Sequence, residues 1–426
     1  MRKSFVLIIL AAGIFQANAQ THSDYVNPFI GTDGMGHTFP GACVPFGGVQ
    51  LSPDTDTIPH NINGKYQPMV YETCAGYRYT DPTIVGFSHT HFSGTGHSDL
   101  GDILIMPATG PVKLNPGTAD NPDGGFRSRF SHSTEKARPG YYEVTLDDYG
   151  IKARLTATQR VGVHEYTFPK GPDGHLILDL VHGIYDYDGK TLWAEVQVQD
   201  PTHVVGYRIT DGWARTNYTY FAIEFSQPIT GFGYTDRQKI DYKGGWSKFD
   251  TSRNFAAMAG RKIVSWFGFD TSKDPVLTVK VALSSTGTTG ALKNLKAEAA
   301  GKTFGQIASE AGKAWEKELS QIEIEGTDDE KTMFYTSLYH TMINPSVYMD
   351  VDGAYRGLDH EITTPTASRT TRFSPSGTLT GLSILSLRYS NRTGTVTWCF
   401  PCLPITTRTY STCCPSGATW PTRTGA

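Results

Sequence analysis

The stretch from about Tyr141 to Ser284 reads as a succession of short β-strands separated by turns. Its segments alternate apolar and polar side chains, as strands with one buried face do. Turn signals such as Asp173-Gly174 lie between the segments. Many short strands joined by polar turns favour an antiparallel β-sandwich over a parallel α/β sheet. The predicted strands are residues 142–146, 161–166, 175–180, 192–198, 204–209, 218–225, 263–269 and 276–283.

The hydrophobic period changes after this region. Between Ala291 and Gln321 the residues favour helix, and apolar side chains recur at helical spacing. Thr327 and Glu330 then form a capping-box sequence, in which the two side chains satisfy backbone N–H groups at a helix start. A strand-rich region followed by a helical region predicts two domains, with a boundary near residues 285–325. The predicted buried stripes are Ile307, Ala311, Ala314, Trp315 and Ile322 in the first region, and Phe334, Leu338 and Met342 in the second.

The first residues resemble an export signal. Arg2 and Lys3 precede an apolar run and a small-residue cleavage sequence at residues 17–19. That order predicts a signal peptide, residues 1–19, and a mature chain that begins near Gln20. The run is shorter than the roughly 20 residues that span a bilayer, although a retained anchor stays an alternative. We therefore expect a periplasmic or secreted protein with no membrane segment after cleavage.

The net charge limits the kinds of binding partner, and the cysteines limit the possible disulfides. The net charge of −3 argues against a nucleic-acid partner, because such a partner requires a concentrated basic face. Cys43 and Cys74 stand alone in the main body of the chain. Export permits a disulfide between them, and two buried thiols are an equal alternative. The oligomeric state is not predicted.

The loop from Ser88 to Asp102 collects side chains that suit hydrogen bonds to sugar hydroxyls. Imidazoles, hydroxyls and carboxylates stand among small residues there, and glycine allows backbone to approach a ligand closely. Two other interpretations stay open. His89 and His91 could bind a metal, because neutral imidazoles are common ligands, or they could hydrogen-bond only within the domain. The polar residues of the loop are His89, His91, Ser93, Thr95, His97, Asp99 and Asp102.

Several long strings, in one order, resemble the α-mannosidases of glycoside hydrolase family 92. The resemblance covers nearly everything from Tyr25 to Glu361. The first five strings resemble the N-terminal signature of the family, and the last two resemble the opening of its helical catalytic domain. The strings are residues 25–32, 36–42, 45–54, 76–79, 86–96, 334–341 and 350–353.

This resemblance implies a fold and an activity. It implies a mainly β protein, with an antiparallel β-sandwich at residues 20–285, a helical linker at 286–326 and the start of an (α/α)6 barrel at 327–361. It also implies inverting exo-hydrolysis of α-mannosidic bonds in mannose-containing glycans, with calcium as cofactor and its ligands mostly beyond this point. No catalytic acid or base is assigned. The implied substrate-binding residues are Gly36, His37, Phe39, Cys74, Gly76, His89, His91, Ser93, Gly94 and Thr95.

The carboxylates closest to the catalytic-domain motif do not match an assignable acid or base. They are Asp350, Asp352, Asp359 and Glu361. We interpret them as a polar loop after the first barrel helix.

Residues 362–426 contain no Asp, Glu, Lys or His and keep neither helical nor strand periodicity. A zinc or redox motif at Cys399 and Cys402 lacks a partner pair. Intrinsic disorder fits poorly with Trp398, Trp420 and four cysteines. A shift of one base near Ile362 instead permits DGFTNY followed by FSLWDTYRAL, strings that resemble the family's continuation. We therefore predict that residues 362–426 are an out-of-frame tail.

The sequence thus supports a family-level α-mannosidase that is inactive as this chain. A non-catalytic carbohydrate-binding sandwich is the alternative from another class, and a metalloprotein that uses His89 and His91 is a third. Whether the chain acts as an enzyme stays open.

Overall fold

The computed structural model describes residues 20–55, 58, 60–94, 100–185, 187, 189–212, 214–237, 257–364 and 371–372. All of these belong to the first of two units into which the chain divides, Met1–Thr378. The second unit, Leu379–Ala426, lies outside the described residues, as does the predicted signal peptide.

Two antiparallel sheets form a sandwich within the described residues. Side chains from both sheets meet in one hydrophobic core, with Leu51 and Phe267 from one sheet and Leu155 and Val279 from the other. In spatial order, the first sheet contains Ala42–Cys43, Gln50–Asp54, Gly86–Ser88, Leu104–Ala108, Gly174–Asp179, Ile263–Phe269 and Gly231–Asp236. The second contains Ala257–Gly260, Thr191–Asp200, His203–Thr210, Asn217–Phe225, Val276–Ser284, Val161–Thr167, Ile151–Ala157, Tyr141–Leu146 and Lys136–Arg138.

The predicted fold class is confirmed: the chain is mainly β, with an antiparallel sandwich followed by helices. All eight predicted strands occur, most of them a residue or two longer than predicted. The sequence pattern did not reveal Ile151–Ala157 or the strands before residue 136. The strand Gln50–Asp54 is buried along its whole length, so it has no polar face to produce an alternating pattern.

The strand Val276–Ser284 connects the sandwich to the helices. Leu277 and Val279 point into the core between the sheets, while Ala282 lies on the outer face. Successive side chains of a strand point to opposite faces, so both faces of this strand can be buried. The helix α1, Thr288–Ala299, covers the outer face with Ala291 and Leu295.

The described residues contain two further α-helices. Helix α2 spans Phe304–Leu319 and begins with a capping box at Thr303 and Gln306. Helix α3 spans Asp328–Thr341 and begins with the capping box predicted at Thr327 and Glu330. The single helical region predicted from the sequence is therefore interrupted. Gly301, at φ +69°, takes a left-handed conformation between α1 and α2 that ends the first helix.

The buried stripe of α2 agrees with the prediction at Ile307, Ala311 and Trp315. Ala314 is only half-buried, and Ile322 lies beyond the end of the helix. The stripe predicted for α3 is confirmed at Met342, which is buried just after the helix ends, and is displaced by one position within the helix. Tyr335 and Tyr339 are buried there, and Phe334 and Leu338 only partly so. Tyr335 stacks on the Tyr25 ring at 5.9 Å, so the segment before the sandwich determines which side of α3 is buried.

Trp315 fixes α2 against the sandwich. Its side chain is fully buried, its indole N–H donates to the Cys43 carbonyl at 2.6 Å, and its ring packs 4.4 Å from Tyr339. Burying about 200 Å² of aromatic surface contributes about 5 kcal/mol at roughly 25 cal/mol per Å². The helices and the sandwich therefore share one continuous core in this region.

Shorter elements complete the described fold. None of its helices is both long and apolar enough to cross a membrane. Two-stranded ribbons pair Asn61–Ile62 with Lys65–Tyr66, Thr83–Ile84 with Ser128–Arg129, Ser346–Val347 with Thr371–Arg372, and Tyr355–Arg356 with Ile362–Thr363. Single 3-10 turns occur at His22–Tyr25, Pro68–Thr73, Pro122–Gly124 and His132–Thr134.

Candidate functional site

A fully buried carboxylate, Asp54, lies at the end of the strand Gln50–Asp54. Its Oδ1 accepts a hydrogen bond from His91 Nε2 at 2.7 Å, and its Oδ2 accepts one from His182 Nε2 at 2.8 Å. Burial by itself would raise the pKa of Asp54, but the two histidines outweigh it and hold the pKa well below its usual range. The carboxylate is therefore ionised and joins two loops that are far apart in sequence.

The partners of His91 determine its protonation. Nδ1 lies 2.8 Å from the Gln50 carbonyl oxygen, and Nε2 lies 2.7 Å from the Asp54 carboxylate. The Ser88 hydroxyl, which can donate or accept, also lies 3.2 Å from Nε2. The Gln50 carbonyl and the ionised Asp54 carboxylate only accept, so both ring nitrogens must donate. His91 is therefore an imidazolium that forms a buried ion pair with Asp54.

The loop that contains Cys74 and Gly76 lies directly on this ion pair. Gly76 has φ +86°, and a Cβ added there would stand 2.2 Å from Asp54 Oδ1 and 2.8 Å from His91 Cδ2. Its carbonyl accepts a hydrogen bond from the Thr55 N–H at 2.8 Å. Only glycine fits this position, since a side chain would clash with the ion pair and would strain the backbone.

A second loop brings His37 to the same part of the molecule. His37 has φ +53°, which is unusual for a residue with a side chain, and its ring lies edge-on to Tyr71 at 4.7 Å. Its carbonyl accepts the Gly94 N–H at 2.7 Å. Its Nε2 is buried and has no hydrogen-bond partner among the described residues. Burial lowers the pKa of His37, so the neutral ring offers one unused hydrogen-bonding atom.

His89, by contrast, belongs to the core of the sandwich. Its Nδ1–H donates to the Ile103 carbonyl at 2.7 Å, and its Nε2 accepts from His164 Nε2 at 3.0 Å. The Tyr166 hydroxyl donates to the remaining His164 nitrogen at 2.7 Å. Every ring nitrogen in this chain is satisfied when both histidines are neutral. The arrangement matches the interpretation in which His89 hydrogen-bonds within the domain.

These neutral histidines predict acid sensitivity. Burial lowers the pKa of His89 to about 4, and that of His164 well below its ordinary value. The unfolded chain then binds protons below about pH 6.5 that the folded chain refuses. We expect the free energy of unfolding to be constant above pH 6.5 and to fall by about 3 kcal/mol for His89 as the pH drops towards 4. Urea unfolding at a series of pH values measures this.

A matched pair of variants isolates the source of that acid sensitivity. His89→Gln combined with His164→Phe should reduce the slope of the pH dependence between 6.5 and 4, even if the protein becomes less stable. The other buried histidines whose pKa values are lowered, His37, His175 and His340, should retain the rest of the slope. His203→Gln changes a partly exposed histidine and should leave the dependence intact. An unchanged slope in the double variant would contradict the assignment.

The remaining residues implied by the family resemblance occupy different environments. Phe39 is buried in the core beneath α2 and α3, with its ring 5.3 Å from His91. Cys74 is fully buried, and it does not form with Cys43 the disulfide that the sequence left open. Gly36 is half-buried, while Ser93 and Gly94 reach the surface. Thr95 lies outside the described residues.

The carboxylates that follow α3 have structural roles. Asp350 is buried and accepts hydrogen bonds from Ser284, Thr286 and Asn294 at 2.6–2.8 Å. The remaining three lie in the same polar loop: Asp352 pairs with Lys293, Asp359 accepts the Glu361 N–H, and Glu361 is exposed. This agrees with their interpretation as a polar loop.

A metal site is not supported by the donor groups in the described part of the chain. No group of three or more His, Cys, Asp or Glu side chains there is arranged to hold a metal ion. His89 and His91 also use their ring nitrogens for other partners. The described residues therefore do not fit a calcium ion, and we assign no ligand.

Sequence reasoning missed three residues that organise this region. Asp54 ends the family-like string at residues 45–54. The glycines of that string, rather than its carboxylate, suggested contact with a ligand. His182 follows the buried strand Gly174–Asp179. His340 lies in the last turn of α3, and its Nδ1 is 2.9 Å from Ser93 Oγ. All three act through contacts across long sequence separations, which no local pattern reveals.

Comparison with known proteins gives the family context. Residues 25–284 match the sequence model of the glycosyl hydrolase family 92 N-terminal domain, and residues 290–376 match that of the family 92 catalytic domain. An uncharacterized secreted glycosidase of Arthroderma benhamiae is 26% identical over 381 residues, which is 80% of this chain and 44% of that protein.

Two solved structures are similar as well. A family GH92 alpha-mannosidase of Bacteroides thetaiotaomicron, also solved with mannoimidazole, is 37% identical with a TM-score of 0.74. The alignment covers 83% of this chain and 45% of that one in the structure without ligand. A family GH92 inverting mannosidase of the same organism is 26% identical with a TM-score of 0.63, over 81% of this chain and 43% of that one. The chain thus spans less than half the length of these relatives.

Proposed function

The chain belongs to glycosyl hydrolase family 92, and we propose that it is the sugar-contacting N-terminal half of an inverting exo-α-mannosidase. The substrate class is a mannose-containing glycan. The complete protein hydrolyses the α-mannosidic bond, whereas this chain binds the sugar without cleaving it. The support comes from the family, from the alpha-mannosidase neighbour that was solved with mannoimidazole, and from the loops gathered on Asp54.

The observation that carries the binding proposal is the junction of two loops beside the Asp54–His91 ion pair. His37 contributes a buried Nε2 without a partner among the described residues, and Ser93 contributes a hydroxyl near the surface. A sugar hydroxyl both donates and accepts, so it can satisfy either group. We assign His37, Ser93 and the backbone around Gly36, Gly76 and Gly94 to sugar contact. Phe39, Cys74, His89 and His91 support these loops from below.

Hydrolysis with inversion requires two carboxyl groups. One protonates the leaving oxygen, and the other activates a water on the opposite face, about 6.5–9.5 Å away. Among the carboxylates described after α3, Asp350, Asp352 and Asp359 make structural bonds, and Glu361 is exposed. We therefore place the acid and base of the complete protein outside the described residues. Calcium, which the family resemblance implies, would also take its ligands there.

Export and an altered reading frame complete the proposal. A signal peptide at residues 1–19 would deliver the protein to the periplasm or the medium, and the name of the Arthroderma relative includes the word secreted. Residues after about 362 are translated in the wrong reading frame, although the match to the family's catalytic-domain model runs to residue 376. The DNA around codon 362 tests this directly. An open frame of about twice this length after a one-base correction supports the proposal, and its absence contradicts it.

Calorimetric titration of the chain with mannose tests the binding function. We expect mannose to bind at least about tenfold more tightly than glucose, a difference of about 1.4 kcal/mol, or one good hydrogen bond. Glucose is the matched control because it differs from mannose only in the orientation of one hydroxyl. Equal binding of the two sugars, or no binding of mannose, would refute the proposed role.

A further inference from the structure

The side chain of His340 connects helix α3 with the proposed sugar loops. His340 lies in its last turn, and its Nδ1 is 2.9 Å from Ser93 Oγ, across 247 residues of sequence. The next residue of the loop, Gly94, donates its N–H to the His37 carbonyl. His340 thus contacts the loop at the residue before its connection to His37.

The His340 ring is buried and neutral. Burial lowers its pKa to about 4, although a hydrogen bond with the Ile30 backbone acts in the opposite direction, so the ring carries one proton near pH 7. Nδ1 and the Ser93 hydroxyl can bond in either direction, according to which ring nitrogen holds that proton.

The bond to His340 leaves Ser93 Oγ able to meet a sugar hydroxyl. A hydroxyl has one proton and two lone pairs, and the bond to His340 uses only one of these three. Ser93 is half-buried at the surface, where an incoming hydroxyl can bond to what remains.

We infer that His340 is a positioning residue for the sugar site, which holds Ser93 Oγ in place for a hydrogen bond with a sugar hydroxyl. This inference rests on the proposed function and adds a residue from the helical region to it. His340 itself does not touch the sugar. Its effect on binding passes through Ser93.

Variants of both residues test the inference by mannose titration of the full chain. His340→Asn retains an N–H near the position of Nδ1, whereas His340→Phe retains the ring shape without any nitrogen. We expect His340→Phe and Ser93→Ala each to weaken mannose binding about threefold to tenfold, the effect of one hydrogen bond. His340→Asn should bind within about twofold of the unaltered chain. The double variant should bind no more weakly than Ser93→Ala, since the two residues act as one unit.

The outcomes separate the two proposals. If the unaltered chain does not bind mannose, the proposed function fails. If it binds mannose and His340→Phe binds equally well, or if His340→Asn is as weak as His340→Phe, the positioning role fails.

Discussion

Replacing Asp54 with leucine should lower the free energy of unfolding by about 3–5 kcal/mol, because it leaves a buried imidazolium without its counter-charge. Asp54 and His91 are both fully buried, so water cannot replace the lost partner. The loop that carries Gly76 rests on the same pair and should lose its support. Urea unfolding of the variant and the unaltered chain at pH 7 measures the difference.

Two further variants make this test specific. Asp54→Asn should cost less, because an amide keeps an oxygen that accepts from one histidine and offers an N–H to the other. Asp123→Leu removes a carboxylate whose ion pair with Arg129 is exposed, and it should change stability by less than about 1 kcal/mol. If Asp54→Leu were no more destabilising than Asp123→Leu, the buried ion pair would not hold the site together.

The second large effect concerns hydrolysis. The 426-residue chain should hydrolyse 4-nitrophenyl α-mannoside no faster than buffer. A gene with one base corrected near codon 362, and with its downstream frame open, should encode an enzyme that accelerates the reaction at least about 10⁶-fold. The physical reason is that protonation of the leaving group and activation of water need two positioned carboxyl groups. Of the carboxylates described after α3, Asp350 and Asp352 already make structural bonds.

Release of 4-nitrophenol, followed over hours at equal protein concentrations, provides the measurement. Mannose titration of both proteins is the control, because the account expects the shorter chain to bind and only the longer one to cleave. Hydrolysis by the 426-residue chain above the buffer rate would contradict the account.

The sequence predicted the fold where a periodic signal exists. Most strands between residues 141 and 284 alternate because one face is polar or lies against a helix, although Gly174–Asp179 is buried along its whole length. The buried strands Gln50–Asp54 and Leu104–Ala108 instead contain proline and lack an exposed face, so they resembled loops. The buried face of α3 was displaced by one residue because contacts with Tyr25, far away in sequence, decide it.

The site was predicted less well, for a similar reason. The family-like strings identified the loops that gather around Asp54. Residue type alone could not show that His89 and His91 have different hydrogen-bond partners. Both are buried histidines two residues apart, yet one hydrogen-bonds in the sandwich core and the other pairs with Asp54. The roles of His182 and His340 depend entirely on contacts across the fold.

We propose that mannose binds where the loops of His37 and Ser93 meet. NMR spectra of the labelled chain, recorded while mannose is added, locate the binding site because each shifted signal belongs to a known residue. We expect shifts concentrated at His37, Ser93 and Gly94, with little change when glucose is added instead. Shifts concentrated elsewhere, such as around the exposed Trp193 on the outer sheet, or no shifts at all, would contradict it.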